Sequence, residues 1–437
     1  MDPLMIDILI FLAVLLVLIF SGIPIFFSLG FLAALLLTIK FGPHMLLSLS
    51  HVGWSSSSSF LMGAIPMFVF MGYLLFETGL SRRVYDGVSP LLSRLLPGGI
   101  LHTNIVVGAA FAACSGSSVA SAATIGSVAL PEMERRGYER GIATGSVAAG
   151  GTLGILIPPS ITLIIYGYMA DESVGRLYFG GVIPGLILAA AYMIYIAVRL
   201  KINPGLATEP TKIKPSWRFC LRELSKVWII PALFAGVMGS IYSGLATATE
   251  AASVGCAMVF MMAIGYRMLT WDNLKRALRA TVVTSSMVQM LCFSGSLLGA
   301  YLGNAGIVKD VAAGVLKLGI SPLSIYIFIQ ILYLIMGCLM DGISMMILTI
   351  PIVVPIMRAL GFDMIWFGVV MTMLVEIGML TPPVGAILFV LQGLRPDYPF
   401  KKIVSGCAPF FVVILIIIEL ASIFPQLVTF LPKLMMK

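Results

Sequence analysis

The sequence predicts an all-α polytopic membrane protein built as two inverted repeats, each with a re-entrant helical hairpin and a broken transmembrane helix. Three observations predict it. The 437 residues are 59% hydrophobic and only 11% charged, with a mean hydropathy of +1.06, a composition suited to a bilayer. A short motif occurs twice inside apolar stretches, as Gly154-Ile-Leu-Ile-Pro-Pro159 and Gly378-Met-Leu-Thr-Pro-Pro383. Other matches keep the same 224-residue offset: Pro131 with Pro355, Met133 with Met357, Gly137 with Gly361, and Glu139 with Asp363. Upstream, after a small shift, Gly79 and Val84 pair with Gly306 and Val311.

A double proline removes two backbone donors and forces the preceding residue out of the helical region. Each motif therefore unwinds a membrane helix partway across. Bare carbonyls at that depth are tolerated only where they line a cavity or bind something. Broken helices at corresponding places in two halves mark the binding site of a transporter.

Taken in order, 4–20 and 23–39 are two apolar spans that open an N-terminal scaffold over 1–54. The first lacks a basic leader and a small-residue cleavage site, so it reads as a retained helix. A loop over 40–53 leads to flexible serines at 55–59, which open the next span and the first repeat, 55–200. Residues 81–97 mix Arg82, Arg83, Asp86 and Arg94 with valines and leucines, as an interfacial amphipathic arm does. The first hairpin covers 101–133, with a small, polar centre from Cys114 to Ser121, and the first broken helix 141–169. A basic connector, 201–226, leads to the second repeat, 227–437. That half holds an arm at 307–318, a hairpin at 323–357, a broken helix at 364–391 and a last span within 403–430.

The net charge of +8 sits in short loops between apolar runs, so it reads as a topology signal and not as a nucleic-acid surface. With each hairpin returning to its own side, the basic loops around Arg135, Arg199, Arg267 and Arg395 all share one face, the cytoplasmic one. The first hairpin then opens to the cytoplasm, the second to the outside, and both chain ends lie outside. The six cysteines form no CxxC pair, which argues against a zinc site or a disulfide framework.

Bringing hairpin tips beside broken helices yields two polar nests. The first combines Ser115, Gly116, Ser117 and Ser118 with Gly151, Gly154 and Ile157. The second combines Gly337, Asp341 and Gly342 with Gly378, Met379 and Thr381. Carbonyls and hydroxyls suit a hard alkali cation, and half-helix N-termini suit an anion. A substrate cavity between them draws on Ser118, Thr152, Pro158, Ser344, Pro382 and Glu250. Asp341 costs roughly 2.5–3.5 kcal/mol at mid-membrane, so it is a site candidate. It reads equally as a cation contact or as a cap of the following half-helix. Glu250 and Glu376 each read as a cavity or coupling group, or as a helix cap. His44, His51 and His102 lack metal spacing and read as interfacial or loop residues.

The residues also carry a family resemblance. Ser115-Gly-Ser-Ser118, Leu130-Pro-Glu-Met133, Leu153-Gly-Ile-Leu-Ile-Pro-Pro-Ser160, Ala246-Thr-Ala-Thr-Glu-Ala-Ala252, Met340-Asp341 and Gly378-Met-Leu-Thr-Pro-Pro-Val-Gly385 together resemble the large membrane subunit of tripartite ATP-independent periplasmic (TRAP) transporters. Ala248 stands where that family's pattern has proline. The resemblance spans essentially the whole chain. It implies a sodium-coupled importer of organic anions such as C4-dicarboxylates or sialic acids, in the bacterial inner membrane. It implies an elevator-type architecture, Na+ as coupling ion and no organic cofactor. The implied partners are a small membrane subunit, a periplasmic substrate-binding protein and membrane lipid.

An enzyme reading lacks its residues. Ala113-Cys-Ser-Gly116 is not a Gly-x-Ser-Gly nucleophile site, and no histidine follows His102. A passive channel or a stand-alone sodium/dicarboxylate carrier are the rival readings.

Overall fold

The computed structural model describes the chain except residues 1–12, 16, 19–20, 208–214, 318 and 436–437, and except the side chains of 46, 48, 112–115, 312 and 316. The expected span at 4–20 therefore falls mostly outside the described residues. Among those described, secondary structure is helical, and eight helical stretches are long and apolar enough to cross a membrane.

The helices run in order as α1 (Ile25–Phe41), α2 (Leu46–Ser57), α3 (Ala64–Glu77), α4 (Leu80–Leu95), α5 (Gly99–Ser115), α6 (Ser118–Arg135), α7 (Arg140–Leu156), α8 (Ile161–Ala170), α9 (Val174–Ile202) and α10 (Trp217–Leu224). They continue as α11 (Ile229–Tyr242), α12 (Ala248–Gly265), α13 (Trp271–Asn304), α14 (Ile307–Lys317), α15 (Pro322–Gly337), α16 (Gly342–Ala359), α17 (Met364–Leu380), α18 (Ala386–Leu394), α19 (Phe400–Ile423) and α20 (Gln426–Leu434).

Two helices form the centre. Every residue of α17 is buried, and so is every residue of α7 after Arg140. A helix buried all round must be small or apolar all round. α17 is apolar throughout apart from Thr372 and Glu376, whereas α7 is rich in glycine and alanine. Its small side chains let neighbouring backbones approach. A Cβ on Gly108 of α5 would lie 2.2 Å from the Gly150 carbonyl oxygen of α7. One on Gly145 would lie 2.3 Å from the Gly406 oxygen of α19.

The paired motifs fold alike. Gly137 and Gly361 both take positive φ, at +76° and +80°. Tyr138 N–H donates to the Met133 oxygen, and Phe362 N–H to the Met357 oxygen. Glu139 then caps α7 by accepting from Ile142 N–H at 2.9 Å, and Asp363 caps α17 from Ile365 and Trp366. Gly79 and Gly306, also at positive φ, open α4 and α14.

Two expectations need correction. Residues 46–53 of the loop predicted over 40–53, and 55–57 of the serine run after it, form α2. Leu49 and Val52 pack on the core, and Ser50 and Ser55 satisfy their hydroxyls on the carbonyls three residues back. Packing thus overrides the low helix propensity of serine. His102 is 1% exposed within α5 and is not an interfacial or loop residue. The arm α4 turns one face inward: Leu80, Val84, Tyr85 and Val88 are buried, and Tyr85 donates to Asn104 Oδ1 at 2.9 Å. The connector contributes α10, where Arg94 of the arm stacks on Trp217 at 4.5 Å.

Two measurements check this packing. Gly108→Ala is expected to cost about 1–3 kcal/mol by overpacking, read as a lower melting temperature. Glu139 offers a pH test. Burial raises its carboxyl, but the Lys402 ammonium at 2.8 Å and the N–H groups of Ile142 and Gly141 outweigh that and hold it below the ordinary value. A depressed folded value means the stabilisation is full above the unfolded value and disappears as pH falls through the folded one. Wild type is therefore expected to melt above Glu139→Gln at neutral pH, with the two converging in acid.

Candidate functional site

The first break is built from Ile157, which ends α7, the cis Pro158-Pro159 bond, and Ser160, which caps α8 by accepting from Leu163 N–H at 3.3 Å. The neighbouring gap between α5 and α6 consists of Gly116, at φ +57°, and Ser117, which caps α6 by accepting from Ala120 N–H. The two gaps touch. A Cβ on Gly154 would lie 3.0 Å from the Ser117 carbonyl oxygen, and one on Gly116 would lie 3.3 Å from the Pro159 oxygen. Ser118 Oγ donates to the Thr152 carbonyl oxygen at 3.3 Å. The Ser115 side chain lies outside the described residues.

The second pair repeats the construction. Thr381 ends α17, and its hydroxyl donates to the Ile377 oxygen at 2.7 Å. The cis Pro382-Pro383 bond and Gly385 lead to α18. Asp341 caps α16, accepting from Ser344 N–H at 3.0 Å. A Cβ on Gly337 would lie 2.5 Å from the Gly378 Cα, and one on Gly342 would lie 2.2 Å from a Val375 methyl. Only glycine permits either contact.

Both pairs open on one cavity of about 450 Å³. First-turn residues of four helices line it: Ser118 of α6, Ile161 and Thr162 of α8, Ile343 of α16 and Ala386 of α18. Last-turn residues of the two broken helices, Ile155 of α7 and Met379 of α17, line it as well. Helix starts present partial positive charge and N–H groups, and helix ends present carbonyls. The far wall comes from α3 and α13, joined by the Tyr73 hydroxyl and Thr284 Oγ1 at 3.0 Å. Among the described lining residues Asp341 alone is formally charged, and none is basic.

Gly116, Ser117, Ser118, Asp341 and Met379 thus meet at one cavity. Gly151, Thr152, Gly154, Ile157 and Pro158 are buried behind the first gap, and Gly337, Gly342, Ser344 and Gly378 behind the second. Thr381 is half-buried and Pro382 is exposed. Glu250 does not join them: it is exposed and forms a capping box with Thr247 at the start of α12. Glu376, unlike Glu250, is not a cap; it lies in the last turns of α17. The sequence reading missed Thr162, Tyr73 and Thr284. Thr162 Oγ1 is buried without a hydrogen-bond partner. Its sequence signal is its place just after the Pro-Pro-Ser break. Tyr73 and Thr284 sit in ordinary apolar spans and carry no such signal.

With this geometry in place, comparison is informative. The family described as "Tripartite ATP-independent periplasmic transporter, DctM component" matches residues 12–427. This chain belongs to that family. As a DctM-family permease it is a multi-pass membrane transporter component and not an enzyme. The sialic acid TRAP transporter large permease protein SiaM of Vibrio cholerae is 31% identical across 95% of this chain and 96% of its own. The C4-dicarboxylate TRAP transporter large permease protein DctM of Pseudomonas aeruginosa is 32% identical across 93% of this chain and 94% of its own. Among solved structures, the Alcanivorax borkumensis YdaH transporter superposes with a TM-score of 0.60 over 87% of both chains at 13% identity, a likeness of fold alone.

The cap role of Asp341 yields a prediction. Asp341→Ala is expected to lose about 1 kcal/mol of stability, while Asp341→Asn, which still accepts from Ser344 N–H, keeps nearly all of it. Melting temperatures of the two variants check this.

Proposed function

We propose that this DctM-family permease carries out sodium-coupled secondary import of a small organic anion, a carboxylate such as a C4-dicarboxylate or a sialic acid, across the bacterial inner membrane. The supporting observation is the charge of the cavity. It offers an organic anion helix starts and hydroxyls but no arginine or lysine, and it places one acidic side chain, Asp341, beside them. An anion entering such a site needs cations to accompany it. The carbonyls at the ends of α7 and α17 are the groups that suit sodium, with Ser117 and Ser118 at the first nest and Asp341 and Thr381 at the second. The substrate class follows the relatives named for sialic acid and C4-dicarboxylates.

The two halves, each with paired gaps and repeated caps, act as inverted repeats. Each gap pair is a re-entrant hairpin with a broken helix, and the four move together as an elevator against a scaffold that includes α3 and α13. Both chain ends face the periplasm. A separate small membrane subunit and a periplasmic binding protein complete the system, and membrane lipid surrounds it.

Sodium tests the coupling. At 100 times its dissociation constant it stabilises by about 2.7 kcal/mol. The purified chain is expected to melt higher in sodium than in equal potassium, and Asp341→Asn or Thr381→Ala to lose the difference. No sodium-specific shift with the partner subunit present removes sodium coupling. Cysteine labelling tests the inversion: residues 135 and 358 are expected on opposite faces, and finding both on one face ends that reading.

A further inference from the structure

Glu376 takes no part in the cavity. It is fully buried in α17, and neither carboxyl oxygen has a hydrogen-bond partner. Its position in the repeat is informative, because the 224-residue offset makes Thr152 its mate. Thr152 Oγ1 donates to the Ala149 carbonyl oxygen at 2.8 Å. That hydroxyl proton is committed, so the Tyr192 hydroxyl of α9, 3.2 Å away, donates to Thr152 Oγ1. The Glu376 carboxyl lies within electrostatic reach of the same tyrosine, and so does Cys407 of α19. Two repeat-equivalent positions therefore lie beside one buried phenol, where α7, α9, α17 and α19 pack together.

Each position also connects to a gap. The Thr152 carbonyl oxygen holds Ser118 Oγ at the first. Gly378, two residues beyond Glu376, touches Gly337 at the second.

Among the described residues no charge offsets this carboxyl. Tyr192 of α9 is the titratable group within electrostatic reach of it, and Cys407 of α19 lies within reach of that same phenol. The helices α8, α15 and α18 carry no charged residue, and those on α7, α9, α16, α19 and α20 sit towards the helix ends. Arg140, for example, is about 18 Å along α7 from Thr152 at 1.5 Å per residue. Of the other phenols on these packed helices, Tyr166 donates to the Met364 oxygen and Tyr333 pairs with Thr349, and Tyr178 lies about 21 Å along α9 from Tyr192 at 1.5 Å per residue. No three His, Cys, Asp or Glu side chains gather here among the described residues. An isolated carboxylate in an apolar interior neutralises itself by taking a proton.

We propose that Glu376 is a proton-binding site set between the two gaps, holding one proton on its carboxyl in this packed arrangement. Releasing that proton to water leaves a negative charge between the nests. Proton and alkali cation are then linked ligands, each weakening the other reciprocally. This linkage rests on the cation reading of the nests; the proton site itself does not.

Infrared spectroscopy of the full-length chain in detergent at neutral pH tests the site. We expect a protonated-carboxyl C=O band that Glu376→Gln removes and Tyr192→Phe shifts. A band unchanged in both variants, or an ionised-carboxylate band lost with Glu376→Gln, overturns it. If Glu376→Gln does not fold, the Tyr192→Phe spectrum decides alone, and an unmoved band counts against the proposal. The sodium-induced melting shift is expected to grow from neutral to alkaline pH in wild type and to stay constant in Glu376→Gln. If sodium gives no shift at any pH, the nest reading fails while the infrared band still decides the proton site.

Discussion

A membrane helix that stops halfway leaves its last carbonyls and the first N–H groups of its continuation without partners, in a medium that offers none. That constraint governs the whole chain. Two helices are stopped by Pro-Pro, and each stop is met by a second gap, at Gly116-Ser117 or at Cys338–Asp341. Side chains satisfy some of these groups locally, with Ser117, Ser160 and Asp341 capping the restarted helices. Both pairs of gaps open on a single cavity. The glycines at 116, 154, 337, 342 and 378 follow from the same constraint, because gaps can meet only where no Cβ intervenes.

The electrostatics follow from this arrangement. Four helix starts aim partial positive charge at a volume with no basic side chain, and two helix ends aim carbonyls at it. On the proposed reading an anion would be held by backbone dipoles, which are fixed by the fold and do not collapse onto an empty site as a long arginine would, and mobile cations would supply the full positive charge that the described lining residues lack. The burial of α7 and α17 on all sides keeps both helix ends in register with the gaps they meet.

Much of this was legible in the sequence because it is written in residues with a single backbone consequence. Pro-Pro stops a helix, a glycine before an acidic cap turns one, and both occur twice at a fixed spacing. The gap positions and the pairing of Glu139 with Asp363 were therefore readable, while their role as caps emerged only from the fold. Asp341 was readable as a residue but not as a role, and the structure shows the cap while leaving its carboxyl at the cavity wall. The wall residues Tyr73 and Thr284 were not legible, since their meeting depends on how α3 packs on α13, which local pattern does not encode. The α2 helix failed for a related reason: its serines look flexible until their hydroxyls are paired within the helix. Glu250 and Glu376 look alike in sequence and differ completely in the fold, one exposed in a capping box and the other sealed in the core.

The measurement that bears most directly on the central claim is uptake of a radiolabelled organic acid by proteoliposomes holding the chain with its small subunit, supplied with the binding protein. The account predicts accumulation when sodium is high outside and none when potassium replaces it. Equal uptake in both salts, or passive equilibration without accumulation, contradicts it.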